Sequence, residues 1–573
     1  MSSNTFKRTL VSAAILASTS ASAALYEVVE VTHPGNYLFK SSYGVAIQPG
    51  MVNEPLGCFN ASTTPTQCEF LLAGETRLVE AHAGEAVDGL SYREEVPFRL
   101  DNSFAYVQDN SDFKNYCRNE LGYSICDTWA SIRWNLWDKE INGDTTPNAI
   151  AFIEDKGARA ASVIDVANNV NNVVINSLTE DEQPVGIVSA LGDRTGYRRN
   201  SVTAFVGTDD YTVNGSLQTR AWKTDGTYTV GSIATENTNS QGDYYTSKGT
   251  IWKNSTVAIQ VPWGAGVAAK RNQLLAQGSL RDFVISDDGD SLYAVGFNTF
   301  YEKYHYMQAS VSLLTINDDD SLNHKKTVEV KGATVYSGGG TSGDKLHTNS
   351  ILTSVNENLI AIGEAKRASS KQGAYANRLF IVPNVAAEPP TAAFLSGGIF
   401  FEGAGGKAGA INNYNEMVGQ IDADNTREVN GKPRRKRGFI YPYDDDNNKT
   451  ELTRREIFNN QAWWLDDLTN GGKHSTDNNQ YRIIDATDIN DAGVIAATAF
   501  KCDGGYDSTA HNATCGNGTR EESTVAVKLI PIAGATSDNI VRRGMDERAT
   551  ERKGAAVGLW ALVLLGLFGF RRK

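Results

Sequence analysis

Apolar residues in this chain come in short runs separated by glycine, asparagine and aspartate, and the runs recur. The clearest unit is 408–420, AGAINNYNEMVGQ, in which Ile411-Asn412-Asn413 leads through a turn to Met417-Val418-Gly419. An apolar run, Gly438-Phe439-Ile440-Tyr441, follows about twenty residues later. The phrase returns at 486–499 as ATDINDAGVIAATA, with Asn490-Asp491 and Gly493 at its turn. Asn, Asp and Gly supply the turn positions that need positive φ, and the flanking apolar residues supply strands. Fragments of the same pattern lie upstream around Pro184-Val185-Gly186, Tyr228-Thr229-Val230-Gly231, Tyr293-Ala294-Val295-Gly296 and Leu359-Ile360-Ala361-Ile362-Gly363.

Glycines 57, 186, 231, 296, 363 and 419 mark one position of the unit, with Ala497 as a seventh. Their spacing exceeds a single hairpin and suits three or four strands per unit. Sheets of that size repeated around an axis leave only short edges, so the pattern predicts an all-β, β-propeller-like architecture. Six to eight units fit, and seven are expected. Tandem β-sandwiches would need a separate core for roughly every 100 residues, and the composition shows no breaks at that spacing.

Three stretches depart from the repeat. Residues 26–31 are rich in valine and predict a first strand. Residues 75–160 lose the pattern. There Trp129, Ile132, Arg133, Leu136 and Trp137 fall near helical spacing, which predicts a partly helical insertion with a helix over 128–140. Residues 533–553, AGATSDNIVRRGMDERATERK, are polar without alternation and read as a flexible stalk.

The ends change the picture from globular repeat to exported repeat. Lys7 and Arg8, an apolar stretch over 10–17 and Ala21-Ser22-Ala23 fit a secretory signal over 1–23, so the repeat domain spans 24–532. Residues 554–570 are an uninterrupted apolar run closed by Arg571-Arg572-Lys573. As a helix the run covers about 26 Å, near the lower limit for a bilayer span. The basic cluster would stay cytoplasmic, leaving the body facing the periplasm or, after cleavage, the cell surface or medium.

Six cysteines form three local pairs, Cys58/Cys68, Cys117/Cys126 and Cys502/Cys515. Without CxxC or histidine spacing they predict disulfides in an oxidising compartment rather than zinc. The net charge of −13 argues against nucleic acid as a partner, because phosphate binding needs a basic face.

The phrases at 408–420 and 486–499 resemble the HAF-type extracellular repeat. With the signal and the tail, the chain is similar to uncharacterised exported proteins of marine gammaproteobacteria that share a domain of unknown function. The tail resembles GlyGly-type C-terminal sorting signals, which rhomboid-like proteases process, although Gly554 is followed by Ala555-Ala556 rather than a second glycine. The resemblance implies no catalytic residues.

The remaining motifs point to no reaction. Asp287-Asp288-Gly289-Asp290, 318–320 and 444–446 are oxygen-rich turns that calcium could use, but they lack EF-hand spacing and read as solvated turns. Gly338 to Gly343, with Asp344 and His347 beyond, is not a nucleophile elbow, and Gly403 to Lys407 departs from a Walker loop at Phe401 and Ala408. Residues 432–437, KPRRKR, form the strongest basic run and read as a projecting loop. Trp463-Trp464, Trp129, Trp134 and Trp137 could stack on sugars but suit core packing better. No catalytic residue, metal or cofactor is expected. The reading is an envelope-associated or secreted non-enzymatic binding or scaffold protein for an extracellular polymer or envelope protein, held at the membrane through 554–570. The alternatives are a propeller-type hydrolase or lyase acting on an extracellular polymer, and a periplasm-facing assembly or sensor protein.

Overall fold

The structure is a computed structural model. It describes residues 24–546 apart from 35–40, 78–108, 143, 145, 158–160, 165–170, 191–200, 214–217, 241, 273, 341–342, 428–433 and 445–451. The expected signal over 1–23, the end of the expected stalk and the 554–573 tail lie outside the described residues. Among the described residues no helix is long and apolar enough to cross a membrane.

Strand pairing among the described residues falls into sheets I to VII, built on four antiparallel strands each; the short strand Val335–Tyr336 adds to sheet V, and the hairpin Lys270–Arg271/Leu274–Leu275 stands apart. Sheet I is Ser41–Ile47, Leu72–Arg77, Ala149–Glu154 and Ala161–Val163. Sheet II is Asn171–Leu178, Pro184–Ala190, Val202–Val206 and Asp209–Tyr211. Sheet III is Gln218–Thr224, Tyr228–Asn239, Gly242–Lys253 and Thr256–Gln260. Sheet IV is Ser279–Ile285, Ser291–Phe300, Tyr306–Ile316 and Leu322–Glu329. Sheet V is Lys345–Val355, Ala361–Arg367, Asn377–Val382 and Ala393–Phe394. Sheet VI is Gly406–Ile411, Glu416–Asp422, Lys436–Pro442 and Trp463–Trp464. Sheet VII is Tyr481–Ile489, Ile495–Lys501 and Ser523–Pro531, and its fourth strand is Tyr26–Glu30 from the other end of the chain. The predicted first strand is therefore the outer strand of the last sheet, where it ties the two ends of the repeat together.

Each sheet packs on the next in chain order, and sheet VII packs on sheet I, closing a propeller-like ring. A separate apolar cluster fills each junction. Phe205 with Ala46 and Ile175 lies between I and II, Met417 with Ile362 and Phe439 between V and VI, and Ile47 with Leu72 and Val494 between VII and I. Middle strands are accordingly buried on both faces; Glu416–Asp422 is buried along its whole length, its polar side chains included. Outer strands such as Thr256–Gln260 and Leu322–Glu329 alternate or carry charge, which blunts their exposed edges.

The recurring glycine has a steric cause. Each first strand carries a register shift, at Ile175/Ser177, Ala221/Lys223, Leu280/Asp282, Leu352/Ser354 and Ala408/Ile411 among others. The shift pushes a carbonyl against the second strand, and a Cβ at Gly186, Gly231, Gly296, Gly363 or Gly419 would collide with it. In sheet I this position is Gly74, where a Cβ would meet Phe152 and the Tyr43 carbonyl, and not Gly57. Gly57 begins a short 3-10 turn in the Cys58–Cys68 loop between the first two strands. With that loop in between, the second strand lies at Leu72–Arg77 and not at Gly57, which the glycine spacing marks.

The insertion is narrower than 75–160. It joins the second and third strands of sheet I, and Ala149–Glu154 within the expected range is sheet, not insertion. Its described part holds helices Asn110–Tyr116 and Cys126–Ile141 around buried Phe113, Cys117 and Trp129. Residues 533–546, expected to belong to a flexible stalk, are instead held against the fold. Arg543 is buried, donating its backbone N–H to Asp467 Oδ1 at 2.7 Å and Nε to the Asp466 carbonyl at 2.6 Å, and Asp546 N donates to Asn512 Oδ1 at 2.7 Å. The segment through 546 is packed against sheet VII because its polar groups find partners there.

Candidate ligand-binding face

Among the described residues neighbouring meanders run in the same sense. Third and first strands of neighbouring sheets meet in parallel at Gln218↔Val202 and Ser41↔Thr524. Connections from first to second strands therefore gather on one rim, and those from second to third strands on the other.

The first rim holds the repeat turns. Asn412 accepts from the backbone N–H of Tyr414 and Glu416 through Oδ1 at 3.0 Å, and donates to Glu416 Oε2 at 2.6 Å and to the Asn490 carbonyl at 3.1 Å. Asn413 donates N and Nδ2 to the two oxygens of Asp491 at 2.8 and 3.0 Å, and its Oδ1 accepts from Glu357 N at 2.9 Å. Asn490 donates to the Gln48 carbonyl at 3.0 Å. These residues stitch sheets V, VI, VII and I into a continuous belt. Beneath it Arg454 Nε meets Glu416 Oε1 at 2.9 Å with both side chains fully buried. Burial raises the Glu416 carboxyl, and Arg454 opposes it. Gly493, at φ +86°, sits against the Arg454 guanidinium, where a side chain would not fit. Asn412, Asn413, Asn490, Asp491 and Gly493 are thus brought together on this rim, whereas Gly419, also marked as a turn residue in the sequence, lies within the strand Glu416–Asp422 against the Lys407 carbonyl.

First strands converge on the ring axis. Burial lowers the Lys223 ammonium of sheet III, but Asp282 of sheet IV and Asp488 and Asp491 of sheet VII outweigh it and raise its pKa. Asp282 accepts from Ser354 Oγ and Val355 N at 2.9 and 3.0 Å, and Asp488 from Ile47 N at 3.0 Å. Glu364 accepts from Ala408 N at 2.8 Å. These carboxylates fasten one sheet to the next. Asp485 is less committed: Oδ2 meets Lys407 Nζ at 3.1 Å, while Oδ1 is buried without a partner.

The second rim carries the irregular loops. In sheet IV the connection 301–305 presents a tyrosine platform. Tyr301 and Tyr304 are 48% and 44% exposed. Tyr304 stacks on Tyr306 with centroids 5.1 Å apart, and Tyr301 meets Tyr306 edge-on at 5.7 Å. Lys345 Nζ lies 3.7 Å from the Tyr306 ring, and the Tyr301 hydroxyl donates to Glu329 at 2.7 Å. Tyr301 and His305 hold φ of +64° and +47°, a conformation uncommon for such residues and often found at functional sites. The signal for this platform was three tyrosines in six residues, YEKYHY, between two strands. The sequence pattern pointed instead to tryptophans, of which Trp129 and Trp463 are buried in cores.

The basic run does not project. Lys432 and Pro433 lie outside the described residues, but Arg434 is buried on Asp422 at 3.0 Å, Lys436 pairs with the same carboxylate, and Arg437 is buried on Asp466 at 2.8 Å. Acids distant in sequence draw it inward. The three disulfides form as paired above, the last closing the 502–522 loop beside this run. The aspartate turns hold local bonds: Asp288 accepts from Ser286 Oγ at 2.6 Å, Asp319 from Ser321 N at 3.0 Å, and Asp444 pairs with Arg455 at 2.6 Å. Asp445 and Asp446 lie outside the described residues. Among the described residues no group of three His, Cys, Asp or Glu side chains is placed to hold a metal ion.

Fold and rims together define an all-β, propeller-like protein whose repeat builds one rim and whose variable loops occupy the other. The chain belongs to the family described as "Protein of unknown function (DUF3466)", matched over residues 228–573. No curated protein matches it in sequence. Similar solved structures include the α-L-arabinofuranosidase Arb93A of Fusarium graminearum, with 8% identity, TM-score 0.30, and 90% of this chain and 99% of that one covered. The endosialidase of phage phi92 has 10% identity, TM-score 0.32 and coverage of 92% and 72%. The α-L-arabinanase of Cellvibrio cellulosa has 11% identity, TM-score 0.22 and coverage of 44% and 92%. Likenesses this low transfer neither site nor activity.

Proposed function

We propose that the chain is an exported, envelope-associated binding protein built as a seven-bladed propeller, and that its loop rim takes an extracellular polymer of sugar rings. The observation that supports this most directly is the pair of exposed rings of Tyr301 and Tyr304, backed by Tyr306. Flat amphipathic rings bury the apolar face of a pyranose at little entropic cost. Lys345 and Glu329 at the rim of the platform supply a donor and an acceptor for hydroxyls. Export follows from the 1–23 signal pattern and membrane attachment from the 554–570 run.

Affinity electrophoresis of the full chain in gels holding neutral or acidic polysaccharides tests the reading. Retardation by at least one polymer, weakened tenfold or more (about 1.4 kcal/mol) in the Tyr301→Ala/Tyr304→Ala double variant, is expected. Equal retardation of the variant would remove the platform from the function.

A second reading, a polymer hydrolase, rests on Asp485 and Glu364. Burial raises the Glu364 carboxyl and Asp485 adds to it, while bonds from Ala408 and Asn377 and the nearby Lys407 oppose. A buried carboxyl raised by its surroundings beside a second carboxylate is an arrangement that general acid–base chemistry can use. New reducing ends released from the same polymers, and lost in Asp485→Asn, would replace binding by hydrolysis.

A further inference from the structure

A cavity of about 310 Å³ opens between the start of the Lys436–Pro442 strand and the disulfide-closed loop 502–522. Its lining includes Arg435, Arg437, Arg482, Arg520, His511 and Glu522. From the geometry of this pocket we infer a binding site for an oxyanion, a carboxylate, sulfate or phosphate group, independent of the tyrosine platform.

Charge is the first argument. With Arg543 behind the wall, five guanidiniums gather beside four carboxylates among the described residues, Asp466, Asp467, Glu522 and, near Arg520, Asp507, in a protein whose net charge is −13. All four carboxylates are committed: Asp507 accepts from Thr514 Oγ1 at 2.8 Å and Asn517 N at 2.7 Å. Asp466 holds Arg437 at 2.8 Å and accepts from Ile483 N at 2.8 Å. Asp467 holds His511 Nε2 at 3.0 Å and Arg543 N at 2.7 Å. Glu522 accepts from the Tyr506 hydroxyl at 2.5 Å.

Unmet bonding is the second. Arg482 is fully buried and spends its terminal nitrogens on the carbonyls of Asn479, Tyr481, Ser508 and Ala510 and on Asn479 Oδ1, with no carboxylate of its own among the described residues. Its Nε is buried without a partner, and so is Nδ1 of His511. Burial pushes the Arg482 guanidinium down to about 10, with Arg543 and Arg437 adding to the effect and Asp466 opposing it. A buried cation short of counter-charge is costly, and a bound oxyanion offsets that cost. Guanidinium forks match the paired oxygens of carboxylate, sulfate and phosphate. Arg520 is exposed at the opening, held by the carbonyls of Asp503 and Gly505. It can turn onto an incoming anion without disturbing the core.

Full-length protein is titrated with sulfate, phosphate and galacturonate at constant ionic strength against a chloride control, followed by calorimetry and by the thermal midpoint. We expect saturable binding of at least one of them, with a rise in midpoint of several degrees that chloride does not produce. Arg520→Gln, exposed and therefore expected to fold, should weaken binding at least fivefold, and Arg435→Gln is the second variant. Preference for galacturonate, increased with polygalacturonate, assigns the group to an acidic polymer. Preference for sulfate or phosphate assigns it to a free ion or an ester. No saturable binding by any of the three, or unchanged affinity in both variants, overturns the site. The Tyr301→Ala/Tyr304→Ala protein should keep its anion response, so failure of the platform and failure of this pocket are read separately.

Discussion

The two rims of the ring are built on opposite principles. On the turn rim, asparagine side chains replace solvent with bonds to the neighbouring sheet: Asn356 reaches Asn412, Asn412 reaches Asn490, and Asn490 reaches Gln48. On the loop rim, connections differ in length and composition from sheet to sheet and hold exposed rings and an arginine-lined cavity. A repeat in sequence records the rim where each unit must fit its neighbour. The rim that faces a ligand is free to vary, so its chemistry does not repeat.

The largest expected effect lies under the turn rim. Glu416→Ala leaves the Arg454 guanidinium, 0% exposed, without its carboxylate. Stranding a buried charge typically costs about 3–5 kcal/mol, to be read as a lower denaturation midpoint of the full chain in urea. Retained stability would show that the belt is held by packing alone.

Acid separates the rims next. His347, at the loop-rim end of its strand, packs at a tilt against Phe394 with ring centroids 5.4 Å apart. Burial lowers its imidazole to about 4, with Arg367 and Arg378 adding to the effect. The unfolded chain takes up this proton near the ordinary value of 6.5 and the folded chain only near 4. Stability is therefore complete above the first value and falls as pH drops toward the second, by on the order of 3 kcal/mol. The Glu416 carboxyl is raised, so acidification to the same range does not loosen the turn rim through that group. His347→Asn should flatten the slope of stability between pH 4 and 6.5; an unchanged slope would place the acid sensitivity elsewhere.

How much of this was readable in the sequence follows from what each feature depends on. The glycine that faces a bulge is a local requirement, so five second strands were located from Gly186, Gly231, Gly296, Gly363 and Gly419. Sheet I failed because the Cys58–Cys68 loop separates its first two strands, leaving Gly57 closer to the pattern than Gly74. The closing strand Tyr26–Glu30 was recognised as a strand, but its partner lies some five hundred residues away. The basic run was misread for the same reason. Five cations in six residues look solvated until Asp422 and Asp466 are brought to them by the fold. The arginine pocket combines Arg435 and Arg437, Arg482 and a disulfide loop from separate parts of the chain, a combination that no linear motif records.

The smallest effect bears most directly on the comparison. Asn413→Ala removes the bond to Asp491 at 3.0 Å and the acceptor for Glu357 N at 2.9 Å, while the backbone bond to Asp491 remains. Two partly buried hydrogen bonds are together worth about 1–2 kcal/mol, and ligand binding on the far rim should be untouched. Tyr304→Ala, with its ring 44% exposed, should change stability by less than about 0.5 kcal/mol and weaken polymer binding instead. Measured side by side in urea and in affinity gels, the two variants should move one property each. If Asn413→Ala also weakened polymer binding, the belt would have to position the loop rim through the sheets, and the separation of a structural rim from a binding rim would fail.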